Sequence, residues 1–491
     1  MPQILPSEEA GESLTHASCD ALLLGAFSSA GSFELDETGR RIDAALDSAL
    51  SRYLENSDFK GKASSIATLP TLGRIPARTV VVAGLGPRSS VTTTEVRKAA
   101  GNAVRRVANE GILISALHLA VPGDDAASAS VEGLLLGSYR FNRYKSEPEQ
   151  SSISEIRLPQ ASAHAVDRGR IYAEAAALAR DLANEPPAAL TPKLLARRAE
   201  DVARSGDLEC TVYDAARLQG EGFGGILGVG RGSSEEPVFI VLRYTPPNPR
   251  GRVAIVGKGV TFDSGGLSLK EAKSMETMKT DMSGAAAVIG VMSALPKLAP
   301  GIEVLGLAPA AENMPGPGAI KPGDVIRHYG GKTTEVLNTD AEGRLILADA
   351  LSYAAEQEPD AIVDIATLTG SILVALGRKL SGLFSNDDAL RDELVAASKR
   401  AGEPVWPMPL YEDYRSELES PVADRKNIGS RYAGATTAAL FLESFVTNGI
   451  PWAHLDIVGP ARADNDQDEI RRGATGAHTR TLLEWIEARA R

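Results

Sequence analysis

Two Gly-rich segments concentrate charged side chains, and the fold must either gather these charges or hold them apart. VGKGVTFDSGGLSLK and MKTDMSGAA lie within residues 256–286, and NTDAEGRL occupies residues 338–345. Together they supply four carboxylates and three cations: Asp263, Asp281, Asp340 and Glu342, with Lys258, Lys270 and Arg344. Clustered carboxylates repel one another strongly without counter-charge. Two divalent cations would cancel the four charges and leave Lys270 and Arg344 to hold an anion, which is typical of a two-metal hydrolase site.

Each charged residue also has a plainer structural explanation. Asp340 could cap the helix that follows it, and Asp281 could lie at a helix start, where the helix dipole favours an anion. Lys258 would ordinarily reach solvent or pair with an acid. As a metal ligand it must be neutral, far below its reference pKa of about 10.4, and a nearby dication and burial would both favour that form. Capping alone leaves Asn338, Glu342 and Arg344 unexplained, which favours the metal-site interpretation.

The positions of the histidines narrow the choice of metal chemistry. None lies within the charged segments: His16, His118, His164, His328, His454 and His478. A His-rich zinc protease site is therefore disfavoured, and we expect His328 and His454 to be structural. Oxygen ligands suit Mn²⁺ or Mg²⁺, whereas a nitrogen from Lys258 suits Zn²⁺ or Mn²⁺. Lys270 is the better candidate for a charged group that stabilises a developing oxyanion.

Composition and the chain's beginning exclude several classes of protein. A chain of 491 residues exceeds one hydrophobic core, so at least two domains are expected. The formal net charge of −12 argues against a generally nucleic-acid-binding surface. Cys19 and Cys210 are too few for a disulfide framework. With no signal-like N-terminus and no apolar run long enough for a bilayer, the expected location is cytoplasmic, without a membrane segment.

The hydrophobic pattern predicts an α/β fold in two domains. In the N-terminal third, strands at 79–86 and 111–120 flank a helix at 94–109. A polar, turn-rich stretch at 145–160 marks a boundary, and an Ala-rich helix follows at about 165–183. The predicted domains are an N-terminal α/β domain over 1–160, a linking helix and Pro-rich connection over 161–192, and a catalytic domain over 193–491.

The second half alternates strands and helices, as expected of a mixed, largely parallel sheet with helices on both faces. Predicted strands lie at 238–244, 252–257, 302–308, 360–367 and 452–457, and helices near 193–204, 283–297, 344–357, 435–447 and 477–489. Ligands of such sheets bind beyond the carboxyl ends of the strands. Lys258 and Asp263 follow one strand end, and Thr367 and Gly370 follow another, so distant motifs could meet at one edge.

Two shorter motifs invite other interpretations. Asp263–Gly266 spells DSGG, familiar from chymotrypsin-like serine proteases, but the flanking residues and the strand–helix alternation do not fit a double β-barrel. Gly84–Leu85–Gly86 follows a strand, as in dinucleotide-binding proteins. Ser89 stands where the third glycine of that fingerprint should fall, so a simple tight turn is favoured.

The motifs resemble the leucine aminopeptidase family of cytosolic dinuclear-metal exopeptidases. NTDAEGRL matches that family's signature, and the likeness extends over VGKGVTFDSGGLSLK, DMSGAAAV, PAAENMPGPGAIKPGDVI (309–326) and PWAHLDI (451–457). It covers most of residues 180–480, with a weaker likeness in EGLLLGSYRFNRYK (132–145). The resemblance implies a smaller, macro-like N-terminal domain and a larger C-terminal catalytic domain. It also implies a homohexamer that removes N-terminal residues, leucine-like or otherwise apolar, from peptides in intracellular peptide turnover.

The resemblance also assigns roles to individual residues. Two divalent ions, Mn²⁺ or Zn²⁺, would be bridged by Asp263 and Glu342, with Lys258 and Asp281 completing the exchangeable site and Asp340 the tighter one. Lys270 and Arg344 match the catalytic positions, and Arg344 would hold a bicarbonate that acts as general base. Met278, Thr367 and Gly370 fall in the pocket for the N-terminal side chain, with Asn338 and Leu368 nearby. The residues after Ile457 depart from the family pattern, so the resemblance does not assign the residues of the pocket rim.

Two other functions remain as alternatives. A nucleic-acid-binding regulator would need a basic stripe on the N-terminal domain: Arg97, Lys98, Arg105, Arg106, Arg140, Arg143 and Lys145. A solvated helix face explains the same residues more simply, so nucleic acid is not the expected partner. A dinuclear phosphoesterase would use a similar metal site, but the resemblance is to peptide chemistry.

Overall fold

The structure, a computed structural model, describes residues 1–9, 11, 13–149 and 151–490. Contacts between residues divide the chain into two units. The first is Met1–Glu174 with Ala463–Arg472, and the second is Ala175–Arg462 with Gly473–Arg491. In the part of the chain that the structure describes, no helix is both long and apolar enough to cross a membrane. The domain bounds expected from the sequence (1–160, 161–192 and 193–491) remain a proposal.

The first unit is built on a seven-stranded, largely parallel sheet. Its central strands are buried apolar runs, and the strand order is β1-β7-β6-β2-β5-β4, with β3 beside β2. Only the β4–β5 and β2–β3 pairs are antiparallel among the pairs described. The strands are β1 Gln3–Ser7, β2 Ala21–Ser29, β3 Ser32–Leu35, β4 Ile66–Pro70, β5 Thr79–Pro87, β6 Ile112–Ser115 and β7 Glu155–Pro159. The helices are α1 Ser13–His16, α2 Glu37–Ala45, α3 Ala49–Asn56, α4 Thr93–Arg106, α5 Asp124–Ser138 and α6 Ala163–Asn184, which contains the point of division.

Two expectations about the first unit are corrected by the structure. Gly84–Gly86 is not a tight turn, because β5 continues to Pro87. A β-bulge forms there instead, since Ala26 and Phe27 of β2 pair with Gly84 and Gly86 and skip Leu85. The basic stripe that the alternative nucleic-acid-binding function would need is also not a continuous surface.

Arg97 is the residue that breaks the stripe. Only 3% of it is exposed, and its Nε lies 2.7 Å from Oε2 of Glu132 on α5. A buried, paired guanidinium is not available to a phosphate backbone. Further along the sequence, Arg140 and Lys145 both lie near the carboxylate of Glu149. The solvated helix face that the sequence favoured is therefore wrong for Arg97, which is buried and paired.

The second unit is built on a nine-stranded mixed sheet, ordered β17-β16-β19-β15-β10-β12-β9-β8, with β11 beside β12. Its strands are β8 Glu209–Tyr213, β9 Val238–Tyr244, β10 Arg252–Gly257, β11 Gly259–Asp263, β12 Glu303–Asn313, β15 Ala361–Ala366, β16 Ser381–Ser385, β17 Val405–Pro407 and β19 Trp452–Asp456. Strands β10, β11, β12, β15 and β19 are mutually parallel. Their carboxyl ends therefore reach the same edge.

Helices cover both faces of this sheet. Ala254 and Val256 of β10 pack in one cluster with Leu345 of α12. Because side chains alternate along a strand, Val253 and Ile255 face the other way, where α11 contacts β10. The helices are α7 Pro192–Gly206, α8 Ala215–Glu221, α9 Gly224–Gly230, α10 Ala272–Met275, α11 Ser283–Leu298, α12 Gly343–Glu356, α13 Gly370–Leu376, α14 Asp388–Ala401, α15 Gly434–Glu443 and α16 Thr479–Arg489.

A small three-stranded sheet combines two strands that precede the NTDAEGRL segment with one strand that follows it. It has the order β13-β14-β18, with β13 Val325–Arg327, β14 Thr333–Glu335 and β18 Arg425–Lys426. The parallel pairing of β14 with β18 brings Glu335 opposite Lys426. A two-stranded sheet, β20 Arg462–Ala463 with β21 Gly473–Ala474, and five short 3₁₀ helices complete the described elements: Arg88–Ser90, Leu117–Ala120, Pro187–Ala189, Met278–Thr280 and Glu412–Leu418.

Candidate active site

Five parallel strands deliver polar residues to one edge of the larger sheet. Lys258 directly follows β10, Asp263 ends β11, and Asn313 ends β12. Thr367 directly follows β15, and Asp456 ends β19. This edge is where open α/β sheets bind their ligands.

Three of the predicted carboxylates form a compact cluster at this edge. Asp263, Asp340 and Glu342 offer oxygen atoms that lie within 4.8 Å of one another. The fourth, Asp281, joins them through Lys258, whose Nζ lies 2.8 Å from Oδ2 of Asp281 and 2.9 Å from Oε1 of Glu342. Asp281 lies just before α11, near the helix start that the sequence predicted.

The two lysines act as counter-ions in this arrangement. Lys270 Nζ lies 2.8 Å from Oδ2 of Asp263 and 2.5 Å from Oδ1 of Asp340. Burial alone lowers the pKa of both lysines, but the surrounding carboxylates outweigh it and raise the pKa of Lys258 and of Lys270 above the ordinary value. Lys258 is therefore an ammonium here. A ligand role for its nitrogen requires that a metal displace a proton.

Burial and neighbouring carboxylates raise the pKa values of three of the clustered carboxyl groups. Burial, then the charge of Asp263, raises the pKa of Glu342 to about 8 despite Lys258. Burial also raises the pKa of Asp281 to about 6 and raises that of Asp340. Among the described residues, Oε2 of Glu342 is buried with no hydrogen-bond partner. Two lysines thus do not satisfy four carboxylates, and the donor set of carboxylate oxygens fits divalent cations.

The segment before α12 brings Glu342 and Lys258 together. The Asp340 N–H donates to Oδ1 of Asn338 (2.8 Å), which closes a local turn. Glu342 precedes α12 as its N-cap residue, but its side chain makes no capping hydrogen bond. A Cβ atom at Gly343 would lie 2.6 Å from Cε of Lys258, so a larger residue there would require the helix or the lysine to shift. Capping therefore does not explain Glu342.

Asn313 and Ser264 form hydrogen bonds that hold the strand end carrying Asp263 in place. Nδ2 of Asn313 donates to Oδ1 of Asp263 (2.8 Å) and to the Thr339 carbonyl (3.0 Å), so it ties a strand end to the NTDAEGRL turn. The buried Ser264 hydroxyl donates to the Asn313 carbonyl (2.7 Å). Because its hydroxyl proton is donated to a carbonyl oxygen, Ser264 is a structural residue. The DSGG sequence therefore does not indicate a serine-protease nucleophile here.

Arg344 is a buried cation beside the cluster. Its Nη1 donates to the Asn427 carbonyl (2.7 Å), and its Nε has no hydrogen-bond partner among the described residues. Burial lowers its pKa to about 10, although Glu342 and Asp456 oppose the shift. The guanidinium therefore remains charged at neutral pH and can hold an anion.

The residues expected to line a pocket differ in their contacts with this edge of the sheet. Thr367 Oγ1 donates to Oδ1 of Asp281 (2.7 Å), and the Leu368 N–H donates to Oδ1 of Asp456 (3.2 Å). Met278 is half-buried in the 3₁₀ helix that precedes Asp281, whereas Gly370 is exposed at the first residue of α13. Asn338 contacts the Asp340 backbone, as described above.

The sequence reading missed several buried supports of the site. Asn427 and Asp456 carry no charge pattern or helical spacing that would reveal them, whereas Asn313 could have been found as the polar residue that closes a buried strand. The two histidines expected to be structural are so. His328 Nδ1 lies 3.0 Å from Oδ1 of Asp349, and His454 Nδ1 lies 2.5 Å from Oδ1 of Asp364.

Comparisons with known proteins agree with this geometry. The catalytic-domain model of the cytosol aminopeptidase family matches residues 177–483, and the N-terminal-domain model of the same family matches residues 24–148. The chain is 43% identical to a probable cytosol aminopeptidase of Aquifex aeolicus, over 91% of this chain and 92% of that protein.

Two solved structures are similar to this chain over nearly all of its length. The bottromycin maturation enzyme BotP in complex with Mn is 40% identical, with a TM-score of 0.88, covering 96% of this chain and 100% of that one. A mutant of tomato leucine aminopeptidase is 33% identical, with a TM-score of 0.89, covering 99% and 97%. The chain therefore belongs to the cytosol aminopeptidase family and is a metallo-aminopeptidase.

Proposed function

We propose that this enzyme removes the N-terminal residue of peptides with two divalent metal ions held at the edge of the larger sheet. The observation that carries the proposal is the clustering of Asp263, Asp340 and Glu342 oxygens within 4.8 Å. The partnerless Oε2 of Glu342 supports a further ligand at that point. Divalent metal ions would satisfy these carboxylate oxygens better than the two lysine ammonium groups do.

By the family resemblance, Asp263 and Glu342 would be the ligands that the two metal ions share, and both belong to the compact carboxylate cluster. Lys258 and Asp281, which contact each other, would complete the exchangeable site, and Asp340 the tighter one. Mn²⁺ is the metal we favour, since a relative 40% identical was solved in complex with Mn. Zn²⁺ would also suit a site with a lysine nitrogen.

Lys270 and Arg344 would have separate catalytic roles beside the metal ions. Divalent ions, when bound, supply Lewis acidity to a scissile carbonyl and to water. Lys270 is half-buried and positively charged, so it would stabilise negative charge that develops on the carbonyl oxygen. Arg344 would hold a bicarbonate, which when bound would supply general-base chemistry near the leaving amine.

The finer properties follow from the family resemblance. We propose that Met278, Thr367 and Gly370, with Asn338 and Leu368, line the pocket for the N-terminal side chain. A leucine-like or other apolar residue would be preferred there. We also propose a cytoplasmic homohexamer that acts in intracellular peptide turnover.

Chelation and restoration of activity would test the proposal. The protein is stripped with a chelator, assayed on leucine-p-nitroanilide, and reassayed after addition of Mn²⁺, Zn²⁺, Co²⁺ or Mg²⁺. We expect activity to disappear and to return with Mn²⁺ or Zn²⁺. N-acetyl-leucine-p-nitroanilide is the matched control, since a blocked amine should not be hydrolysed. Full activity after complete chelation would contradict the proposal.

The substrate preference and the alternatives need separate assays. A panel of aminoacyl-p-nitroanilides with apolar, acidic and basic residues would show whether leucine is favoured. Hydrolysis of p-nitrophenyl phosphate in preference to the peptide substrates would favour a phosphoesterase. A gel shift that weakens steeply with salt would favour a second, nucleic-acid-binding role.

A further inference from the structure

Asn427 is a buried polar residue that belongs to none of the charged motifs. It follows β18 in the sequence RKNIG, and its relative exposure is 0%. Its N–H donates to the Glu335 carbonyl (2.9 Å), which continues the pairing of β18 with β14 by one residue. The strand pairing thus places a carboxamide beside the start of NTDAEGRL.

The carboxamide of Asn427 bonds to the backbone of that segment in both directions. Its Oδ1 accepts from the N–H of Leu337 (2.9 Å) and of Asn338 (3.3 Å). Its Nδ2 donates to the Asn338 carbonyl (2.7 Å). Only a side chain with both a donor and an acceptor can make this set of bonds, and a buried loop left without them would lose stability.

The main chain of Asn427 reaches a second functional group. Its carbonyl oxygen accepts the bond from Nη1 of Arg344 described above. A single residue therefore contacts the turn that leads to Asp340 and Glu342 and also the guanidinium of the first helical turn. The two contacts use different parts of Asn427, side chain and backbone.

We propose that Asn427 is a positioning residue that fixes the 338–342 turn relative to Arg344. The inference rests on the proposed roles of Asp340, Glu342 and Arg344. Loss of partners that orient metal ligands typically weakens metal affinity or activity by about 10- to 100-fold. Removal of the Asn427 side chain should therefore loosen the turn while the backbone contact to Arg344 remains available.

The test compares three variants with the wild-type chain. Asn427→Ala removes all the side-chain bonds, and Asn427→Asp keeps the size and the acceptor while replacing the Nδ2 donor. Asn386→Ala is the matched control. Its carboxamide likewise bridges backbone groups, accepting from Trp452 N (2.7 Å) and donating to the Ile450 carbonyl (3.2 Å), but it lies at the opposite end of β19 from Asp456.

Each chelator-treated protein is titrated with MnCl₂, and bound Mn²⁺ is followed by electron paramagnetic resonance. Melting temperature and kcat and KM for leucine-p-nitroanilide are measured alongside. We expect Asn427→Ala to bind Mn²⁺ about 10- to 100-fold more weakly and to lose more in kcat than in KM at saturating Mn²⁺. Asn386→Ala should melt at a lower temperature and keep the wild-type Mn²⁺ affinity.

The outcomes separate this inference from the proposed function. Wild-type Mn²⁺ affinity and kcat in Asn427→Ala would overturn the positioning role. If Asn427→Ala does not fold, the same comparison is decided by Asn427→Asp, where unchanged Mn²⁺ affinity and kcat would overturn it. A wild-type chain that neither binds Mn²⁺ nor hydrolyses the substrate would instead contradict the proposed function.

Discussion

The ammonium of Lys258 and the carboxylate of Glu342 form an ion pair, with 2.9 Å between Nζ and Oε1, although each residue is only 2% exposed. A cation thus already lies among the acids, and the pKa of Lys258 is raised by them. A divalent ion would compete with this ammonium for the same oxygens. Its binding is therefore linked to the loss of a proton.

Substitution of Lys258 by arginine would test that linkage. The Lys258→Arg variant keeps the positive charge, but its guanidinium cannot become a neutral donor at accessible pH. We expect it to retain one metal ion per chain and to lose the exchangeable one. Metal counting at matched pH and free metal measures this. Two ions per chain in the variant would reject Lys258 as a ligand while leaving the carboxylate site intact.

Metal affinity should rise with pH. The pKa of Glu342 is raised to about 8 and that of Asp281 to about 6 by burial, so protons occupy these ligands below those values. As pH rises from about 6 to about 8.5, the carboxylates lose their protons and competition with the metal falls. Titrations with MnCl₂ at several pH values should show progressively tighter binding. A pH-independent affinity across that range would contradict the account.

Removal of the Lys270 ammonium should affect turnover more than binding. Its Nζ lies 2.8 Å from Oδ2 of Asp263, within the carboxylate cluster proposed to hold the metal ions. Loss of one such donor typically lowers the rate by about 10²–10³. Lys270→Ala should therefore show a large fall in kcat and a small change in KM. Lys321→Ala is the control: the exposed Lys321 side chain pairs with Asp324, and the variant should behave as wild type. A change confined to KM would mean that Lys270 only binds substrate.

The close approach of α12 to Lys258 gives a steric prediction. In Gly343→Ala the new methyl group would lie 2.6 Å from Cε and 2.8 Å from Nζ of Lys258, so the helix or the lysine must shift. Mn²⁺ affinity and melting temperature should both fall. Gly220→Ala on α8 meets nothing within 4 Å and should leave Mn²⁺ affinity unchanged. Normal metal binding by Gly343→Ala would show that this approach is not required.

Much of the secondary structure in the catalytic half could be predicted from the hydrophobic periodicity of the sequence alone. The predicted strands at 238–244 and 252–257 are confirmed as β9 and β10, and the helix predicted at 283–297 is confirmed as α11. Buried apolar runs bounded by Gly and Pro fix such elements locally. Because β10 and β15 are parallel, their carboxyl ends meet at one edge, as the sequence predicted for Lys258 and Thr367.

Predictions failed where a distant partner decides the structure. β12 was expected to end at residue 308, before Pro309, but it continues to Asn313 because β11 pairs with its second half. The strand predicted at 111–120 stops at Ser115 and is followed by a 3₁₀ helix. Asn427 was missed for the same reason, since its contacts join residues about ninety positions apart.

The central claim is that buried carboxylates hold two catalytic metal ions, and Glu342→Gln tests it most directly. The amide keeps the shape of the side chain but removes the charge of a bridging ligand. Metal content by mass spectrometry and hydrolysis of leucine-p-nitroanilide should be measured on the same samples. The account predicts two divalent ions per chain in the wild type, fewer than two in a folded Glu342→Gln variant, and loss of turnover. Two bound ions with normal turnover in that variant would contradict it.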